Sequence, residues 1–212
     1  MVQHNGDEEE GSTVSLARLQ APPEAQKAWE KGMKALENKK WTQAEKELRQ
    51  AVTIYPEYAS AWNALGEALG ELSRPVEAQD AWGRAIQADA GYVKPYVLLA
   101  RLAIREGRTE NAVSITDRAL QGKYTQTVPV YFYNAVANLA LGRLEPAEES
   151  ARKAVELDPT HLVPKVEDLL GTVLAAKGDR QGALEHLKKY LAVSPKAEDA
   201  RKVKQRIAEL EH

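Results

Sequence analysis

The chain has 212 residues, of which 43% are hydrophobic and 28% charged, a balance typical of a folded protein rather than a disordered one. Its 29 basic and 31 acidic side chains give a net charge of -2, which argues against nucleic acid or an anionic membrane surface as a partner. The absence of cysteine excludes disulfides and thiolate chemistry, and no apolar run is long enough to predict direct membrane insertion.

The first residues form an acidic stretch that carries Asp7 and Glu8 to Glu10 and lacks the apolar core of a signal peptide. Residues 1–24 are expected to be an acidic, largely disordered segment. Within it, a stretch over residues 12–21 with apolar side chains at Val14, Leu16 and Leu19 is predicted to cover the first helix.

The last residues, Leu210-Glu211-His212, fit either a native end or the start of an expression tag. In the second case a natural targeting signal is expected to be missing. The sequence therefore predicts a soluble protein and leaves the choice between a cytoplasmic and an extracytoplasmic location open.

Small residues recur at a fixed interval between these two ends. One series is Ala44, Ala78, Ala112, Ala147 and Ala183; a second is Ala51, Ala85, Ala119 and Ala154, completed by Tyr190; a third is Gly32, Gly66, Ala100, Ala135 and Gly171. All three series step by 34, 34, 35 and 36 residues. They indicate five copies of one unit, repeats 1 to 5, over 25–58, 59–92, 93–126, 128–161 and 164–197.

Each repeat has the pattern of two helices joined by a short turn. In repeat 2, the first helix carries Trp62, Leu65, Gly66 and Leu69, and the second carries Ala78, Trp82, Ala85 and Ile86. Gly107, Gly142 and Gly178 follow the first helices of repeats 3, 4 and 5, where a glycine ends a helix. In repeat 1, Thr42 and Glu45 have the spacing of a capping box for the second helix.

A small residue at the eighth place of a repeat allows two helices to approach closely, and a lone helix pair cannot bury both of its faces. Residues 25–197 are therefore predicted to stack as one repeat domain. Residues 198–212 form a further amphipathic helix, expected to cap repeat 5 with Ala200, Val203, Ile207 and Leu210 while Arg206 faces solvent.

The run Trp62-x2-Leu65-Gly66-x2-Leu69, followed by Ala78-x3-Trp82-x2-Ala85, resembles the tetratricopeptide repeat signature. Repeat 4 is similar through Tyr131, Ala135, Ala147, Ala154 and Pro159. The resemblance covers about 170 residues. It implies an all-α fold, a right-handed α-α superhelix of antiparallel helix pairs whose concave face is lined by the first helices. It does not identify a partner.

The resemblance also implies which residues face the concave side, namely fixed places in the first helix of each repeat. Carried over to this sequence, the residues predicted to bind a partner are Asn63, Glu67, Lys94, Val97, Arg101, Arg105, Phe132, Tyr133 and Val136. Arginine and aromatic side chains are typical carriers of interface energy. The alternative is that Phe132 and Tyr133 pack between neighbouring helices and that the arginines are only solvated.

Asn134 and Asn138 lie four residues apart at places that the family fills with apolar residues. Two arrangements are expected to be compatible with the sequence. In the first, the amides are buried and bonded to each other or to free backbone groups. In the second, a rotation of the helix turns them toward the concave face.

The sequence predicts no catalytic, cofactor-binding or metal-binding residues. None of the four histidines has a metal-ligand partner at useful spacing, and His161 and His186 are expected to be solvated. There is no glycine-rich phosphate loop and no nucleophile elbow.

We therefore expect a non-enzymatic scaffold that binds a protein or peptide on its concave face, with homodimer formation as a further possibility. The alternatives are the interaction part of a larger envelope assembly and the regulatory part of an enzyme whose catalytic domain is absent from this chain. The lysines and asparagines with which chaperone-binding members hold a C-terminal carboxylate are replaced here, except for Lys94.

Overall fold

Helices joined by short turns account for most of the chain. The computed structural model describes residues 20–122 and 125–212, and these residues contain helices and no strands. The helices are α1 (Pro23–Glu37), α2 (Trp41–Ile54), α3 (Ala59–Glu71), α4 (Pro75–Ala88), α5 (Val93–Arg105), α6 (Thr109–Leu120), α7 (Val128–Ala140), α8 (Leu144–Glu156), α9 (Lys165–Lys177), α10 (Arg180–Val193) and α11 (Ala200–Glu211). The predicted covering stretch falls on residues 12–21, most of which lie outside the described residues.

The chain divides into two compact units, an N-terminal unit over Met1–Asp89 and a C-terminal unit over Ala90–His212. Helices α1 to α4 belong to the N-terminal unit and form repeats 1 and 2. Helices α5 to α10 belong to the C-terminal unit and form repeats 3, 4 and 5, followed by α11. The predicted all-α class, built from helix pairs, is confirmed.

The small residue at the eighth place of a repeat lies directly against the second helix of the same pair. A Cβ atom added at Gly66 would lie 2.4 Å from Nε1 of Trp82, and one added at Gly32 would lie 2.5 Å from Cγ of Leu48. Both distances are shorter than van der Waals contact allows. The two helices therefore approach as closely as they do because the first carries glycine at this place.

The turn inside each pair contains one residue in the left-handed backbone region, and the five residues share one register. They are Lys39, Ser73, Gly107, Gly142 and Gly178, with φ between 55° and 85°. The glycines were predicted at this position, and the prediction is confirmed. Lys39 and Ser73 adopt the same conformation in repeats 1 and 2, where a side chain makes it unfavourable.

Replacing Ser73 by glycine is expected to stabilise the protein by about 0.5–1 kcal/mol, because glycine adopts positive φ without steric cost. Ser73 is exposed, so the change removes no buried contact. For a chain of this size, each kcal/mol of stabilisation raises the melting temperature by about 2–4 °C, and calorimetry measures this rise.

The reciprocal substitution Gly107→Ser is the matched control. A Cβ atom at Gly107 meets nothing within 4 Å, so any loss of stability comes from the backbone conformation alone. The control should lower the melting temperature. A Ser73→Gly variant that melts at or below the parent would contradict this account.

The capping box predicted for α2 is wrong. Lys40 is the N-cap of this helix and no side chain caps it, so Thr42 lies inside the first turn. Glu45 instead accepts hydrogen bonds from Arg49 at 2.9 Å and from Arg74 at 2.7 Å. Burial alone would raise the pKa of Glu45, but these bonds hold it below its ordinary value. Glu45 thus joins repeat 1 to the start of α4 in repeat 2.

Asn134 and Asn138 are both buried and bonded to each other, as the first of the two predicted arrangements requires. The Asn138 amide donates to Oδ1 of Asn134 at 2.9 Å. The Asn134 amide donates to Thr116 at 2.9 Å and to Asp117 at 2.7 Å, and its Oδ1 accepts from Ser150 at 2.7 Å. This network joins α6, α7 and α8, so the alternative in which the amides turn toward the concave face is wrong.

Replacing Asn134 by leucine should therefore lower the free energy of unfolding by about 2–3 kcal/mol, because several buried partners lose their hydrogen bonds at once. Chemical denaturation measures this loss. Ser114→Ala on α6 is a suitable control, because that exposed hydroxyl donates to the Glu110 carbonyl of its own helix and takes no part in the network among the described residues. A leucine variant as stable as the parent would show that the network contributes nothing.

Helix α11 packs on repeat 5 through a small apolar surface. Val203 and Ile207 are buried in a cluster with Leu187 and Tyr190 of α10. Leu184, Leu191 and Leu210 pack against this cluster, and the hydroxyl of Tyr190 adds a polar contact by donating to Asp199 at 2.5 Å. The proposed role of residues 198–212 as a cap is compatible with this position.

Candidate functional site

Seven of the nine residues predicted to bind a partner lie on two neighbouring helices of the C-terminal unit. Helices α5 and α7, the first helices of repeats 3 and 4, contact each other. The residues are Lys94, Val97, Arg101 and Arg105 on α5 and Phe132, Tyr133 and Val136 on α7. We call this surface the α5/α7 face.

One side of α5 is buried and the other carries the predicted residues. Tyr96, Leu99, Ala100 and Ala103 are buried in the unit. Arg101 and Arg105 are exposed and lie one turn apart, since they are four residues apart on a helix. The helical period therefore presents both guanidinium groups to solvent on the same side of α5.

Arg101 and Arg105 form no ion pair and no hydrogen bond with another side chain among the residues that the structure describes. Other arginines of the chain have acidic partners. Arg143 pairs with Glu110 at 3.0 Å, and Arg152 pairs with Glu148 at 2.7 Å. The two unpaired guanidinium groups form a local positive charge that the fold itself does not neutralise.

The aromatic residues of the α5/α7 face are half-buried. The rings of Phe132 and Tyr133 meet edge to face, with centroids 5.3 Å apart and planes at 89°. Phe132 and Val136 also pack against a buried cluster that includes Leu169 and Val173 of α9. Phe132 and Val136 therefore contribute to the packing of α7 on α9, and the rings of Phe132 and Tyr133 each keep part of their surface exposed.

The same face of α9 is occupied by side chains from α11. Arg206 donates to Asp168 and to Thr172. Arg206 was expected to face solvent, and this expectation is wrong. Lys165 pairs with Asp199, and this contact, followed by the Tyr190 hydroxyl, holds the pKa of Asp199 below its ordinary value. Within the C-terminal unit, the open part of the predicted surface is thus limited to α5 and α7.

Asn63 and Glu67, the other two predicted residues, lie on α3 in the N-terminal unit. The Asn63 amide donates to Oε1 of Glu67 at 2.6 Å. Asn63 is buried, whereas Glu67 is partly exposed. The nine predicted residues are therefore distributed over both units, two on α3 and seven on the α5/α7 face.

Sequence reasoning missed a buried carboxylate in repeat 5. Glu167 is 1% exposed, and its Oε2 lies 2.6 Å from Nδ1 of His186. Nδ1 of His161 lies 3.4 Å from the other oxygen. The expectation that both histidines are solvated is wrong: both are partly buried, and Nδ1 of His161 is inaccessible to solvent. The sequence did contain a signal for this pair: Glu167 stands at the place where repeats 2, 3 and 4 carry an aromatic residue. A glutamate buried at that place requires a hydrogen-bond partner.

Two further observations on the described residues concern metal binding and membrane insertion. No three histidine, aspartate or glutamate side chains among residues 20–122 and 125–212 are arranged to hold a metal ion. None of the helices in these same ranges combines the length and the apolar character needed to cross a bilayer.

Comparisons with known proteins agree with this architecture. Residues 30–94 and residues 135–161 each match a sequence profile described as "Tetratricopeptide repeat". None of the curated proteins matches the chain in sequence.

Several solved structures share the fold at low sequence identity. PilW, described as a widely conserved type IV pilus biogenesis factor, is 17% identical with a TM-score of 0.74, over 90% of this chain and 87% of that one. PilF of Pseudomonas aeruginosa is 19% identical with a TM-score of 0.75, over 88% and 83% of the two chains. MamA of Desulfovibrio magneticus RS-1 is 17% identical with a TM-score of 0.68, over 84% and 99%.

At this level of identity the solved structures show the fold, and the two matched segments add the sequence signature within it. Together with the helix pairs and the glycine contacts between them, they show that the chain contains tetratricopeptide repeats within an all-α helical repeat fold.

Proposed function

We propose that this protein is a protein-interaction scaffold whose α5/α7 face binds an acidic segment of a partner protein. Tetratricopeptide repeat proteins are generally non-catalytic scaffolds, and the similarity to them suggests protein partners. The observation that carries the finer proposal is the pair Arg101 and Arg105, exposed one turn apart without an acidic partner among the described residues.

The chemistry of this pair favours carboxylates. A guanidinium group can donate two parallel hydrogen bonds to one carboxylate, and such charge-assisted bonds are stronger than neutral ones. The half-buried rings of Phe132 and Tyr133 on the neighbouring helix supply apolar surface. A ligand that covers these rings would partly exclude water from the ion pairs and so strengthen them.

The ligand that fits best combines two acidic side chains with one or more apolar side chains. An extended strand or an amphipathic helix can present them at the required spacing. Since Arg206 already occupies the equivalent face of α9, the ligand is expected to span α5 and α7.

A second candidate function is the interaction part of a larger envelope assembly. It is suggested by the similarity in fold to PilW, which is described as a type IV pilus biogenesis factor. The two candidate functions differ in the number of partner proteins expected to be bound at one time. A scaffold of this kind should purify from its source with several proteins bound together, whereas a simple adaptor should exchange single ligands.

The α5/α7 face is tested with the tightest acidic peptide selected from a displayed library, measured by isothermal titration calorimetry. Replacing Arg101 and Arg105 together by alanine should weaken binding by about 2 kcal/mol or more, because interface arginines commonly carry this much. Phe132→Ala should also weaken binding.

The matched control replaces two other exposed arginines of the same unit, Arg118 and Arg201, which also lack an acidic partner among the described residues. The Arg118→Ala/Arg201→Ala variant has the same net charge as the Arg101→Ala/Arg105→Ala variant and should bind nearly as well as the parent. If the control weakens binding as much as the groove variant does, the ligand responds to overall charge and the proposed surface is wrong.

A further inference from the structure

Helix α11 contacts more of repeat 5 than the helix it covers. Its buried residues Val203 and Ile207 lie against α10. Arg206 of the same helix instead reaches α9, where its guanidinium group donates to Oδ1 of Asp168 and to Oγ1 of Thr172. Covering the apolar surface of α10 does not require these polar contacts, so they need a separate explanation.

Asp168 and Thr172 stand at places where other repeats carry residues predicted to bind a partner. They occupy the fifth and ninth places of repeat 5, and the same places of repeat 3 hold Val97 and Arg101. We call Asp168 and Thr172 the α9 face. Arg206 therefore lies where a ligand of the other repeats is predicted to lie.

The contact between Arg206 and the α9 face is chemically selective. A guanidinium group donates to a carboxylate and a hydroxyl from one rigid plane, and an uncharged side chain does not reproduce this. The side chain of Arg206 is 35% exposed and that of Asp168 is 15% exposed. An ion pair this open to water contributes little to the stability of the fold. Its main effect is to determine which side chain occupies the α9 face.

Few buried side chains hold α11 on repeat 5. Three of its twelve residues are buried, whereas seven of the thirteen residues of α9 are buried. Six of the twelve residues of α11 are charged. A helix with few buried contacts opens locally without unfolding the elements beside it. The α9 face can therefore be uncovered while α9 stays folded.

We infer that α11 is an internal competitor for a second binding surface, and that the α9 face binds an arginine-bearing amphipathic helix of a partner protein. The partner helix replaces α11, and its arginine replaces Arg206. Charge complementarity with Asp168 and the pattern of α11 define this helix: apolar residues stand three positions before and four positions after the arginine, as Val203 and Leu210 do. The inference does not depend on the α5/α7 face and goes beyond the acidic-ligand site.

The probe is a helical host peptide with valine, arginine, isoleucine and leucine at the spacing of Val203, Arg206, Ile207 and Leu210, and with alanine or glutamine elsewhere. A matched peptide replaces the arginine by citrulline, which has nearly the same shape without the charge. Both are titrated into the full chain and followed by fluorescence anisotropy. The parent should bind the arginine peptide weakly, because α11 competes from within the same chain.

Releasing α11 should uncover the site. Val203→Asp places a charge in the buried contact with α10, and hydrogen exchange should then show α11 unprotected while α9 stays protected. The arginine peptide should bind this variant at least about tenfold more tightly than the parent, and at least about tenfold more tightly than the citrulline peptide does. Ala208→Asp is the matched control, because it adds the same charge at an exposed position of α11 and should leave the parent affinity unchanged.

Further variants assign the surface. Asp168→Asn combined with Val203→Asp should remove the preference for arginine over citrulline, because the neutral amide no longer attracts the guanidinium charge. Glu149→Gln on α8, an exposed carboxylate outside the α9 face, should keep the preference in the same background. Arg206→Ala/Ile207→Ala releases α11 without adding a negative charge and should also raise the affinity for the arginine peptide. This variant decides the question if Val203→Asp unfolds α9.

The inference is overturned if neither release variant binds the arginine peptide more tightly than the parent, if citrulline binds as well as arginine, or if Ala208→Asp raises the affinity as much as Val203→Asp. It is also overturned if the release variants dimerise, since the α9 face would then take α11 from a second copy. Adding Arg101→Ala/Arg105→Ala to Val203→Asp should leave the affinity for the arginine peptide unchanged. Failure here and failure of the acidic-ligand site are therefore separate results.

Discussion

The fold depends on one repeated contact, in which the eighth residue of a repeat meets a residue of the second helix sixteen positions later. Where the eighth residue is glycine, the opposing residue is large: Leu48 against Gly32, Trp82 against Gly66 and Leu187 against Gly171. Where it is alanine, in repeats 3 and 4, the residues sixteen positions later are Thr116 and Ala151, which are smaller. The two positions compensate each other in size, so each helix pair closes to a packed contact.

This contact determines which surface remains available for binding. Each first helix faces the second helix of its own pair on one side and contacts a neighbouring first helix of the same unit on another. The remaining side is not needed to close the pair. Arg101 and Arg105 are exposed there without an acidic partner among the described residues.

The regular features were predictable from the sequence because they are periodic. The repeats, the positions of the helices and the left-handed glycines all follow from the spacing of small residues. Lys39 and Ser73 were missed because the same backbone conformation is carried there by residues that give no sequence signal. The capping box failed because Thr42 and Glu45 have the right spacing but begin two residues after the N-cap Lys40, and Glu45 pairs with arginines instead.

The candidate site was predictable only in part, because spacing along a helix fixes which residues share a face but not what they contact. The clustering of Arg101 with Arg105 follows from four-residue spacing, and so does the bond between Asn63 and Glu67. The pairing of Arg206 with Asp168 joins residues 38 positions apart on separate helices, and no local pattern indicates it. The same holds for His186 and the buried Glu167, which lie on different helices of repeat 5.

The most direct test of the central claim is the effect of Gly66→Ala on the free energy of unfolding, measured in the parent and in a Trp82→Thr background. In the parent, the added methyl group collides with the Trp82 ring, so the substitution should destabilise the protein by about 1–3 kcal/mol. With threonine at position 82, as at the matching position of repeat 3, alanine fits and should stabilise the helix by about 0.5–1 kcal/mol. The account predicts this change of sign; an equal effect in both backgrounds would contradict it.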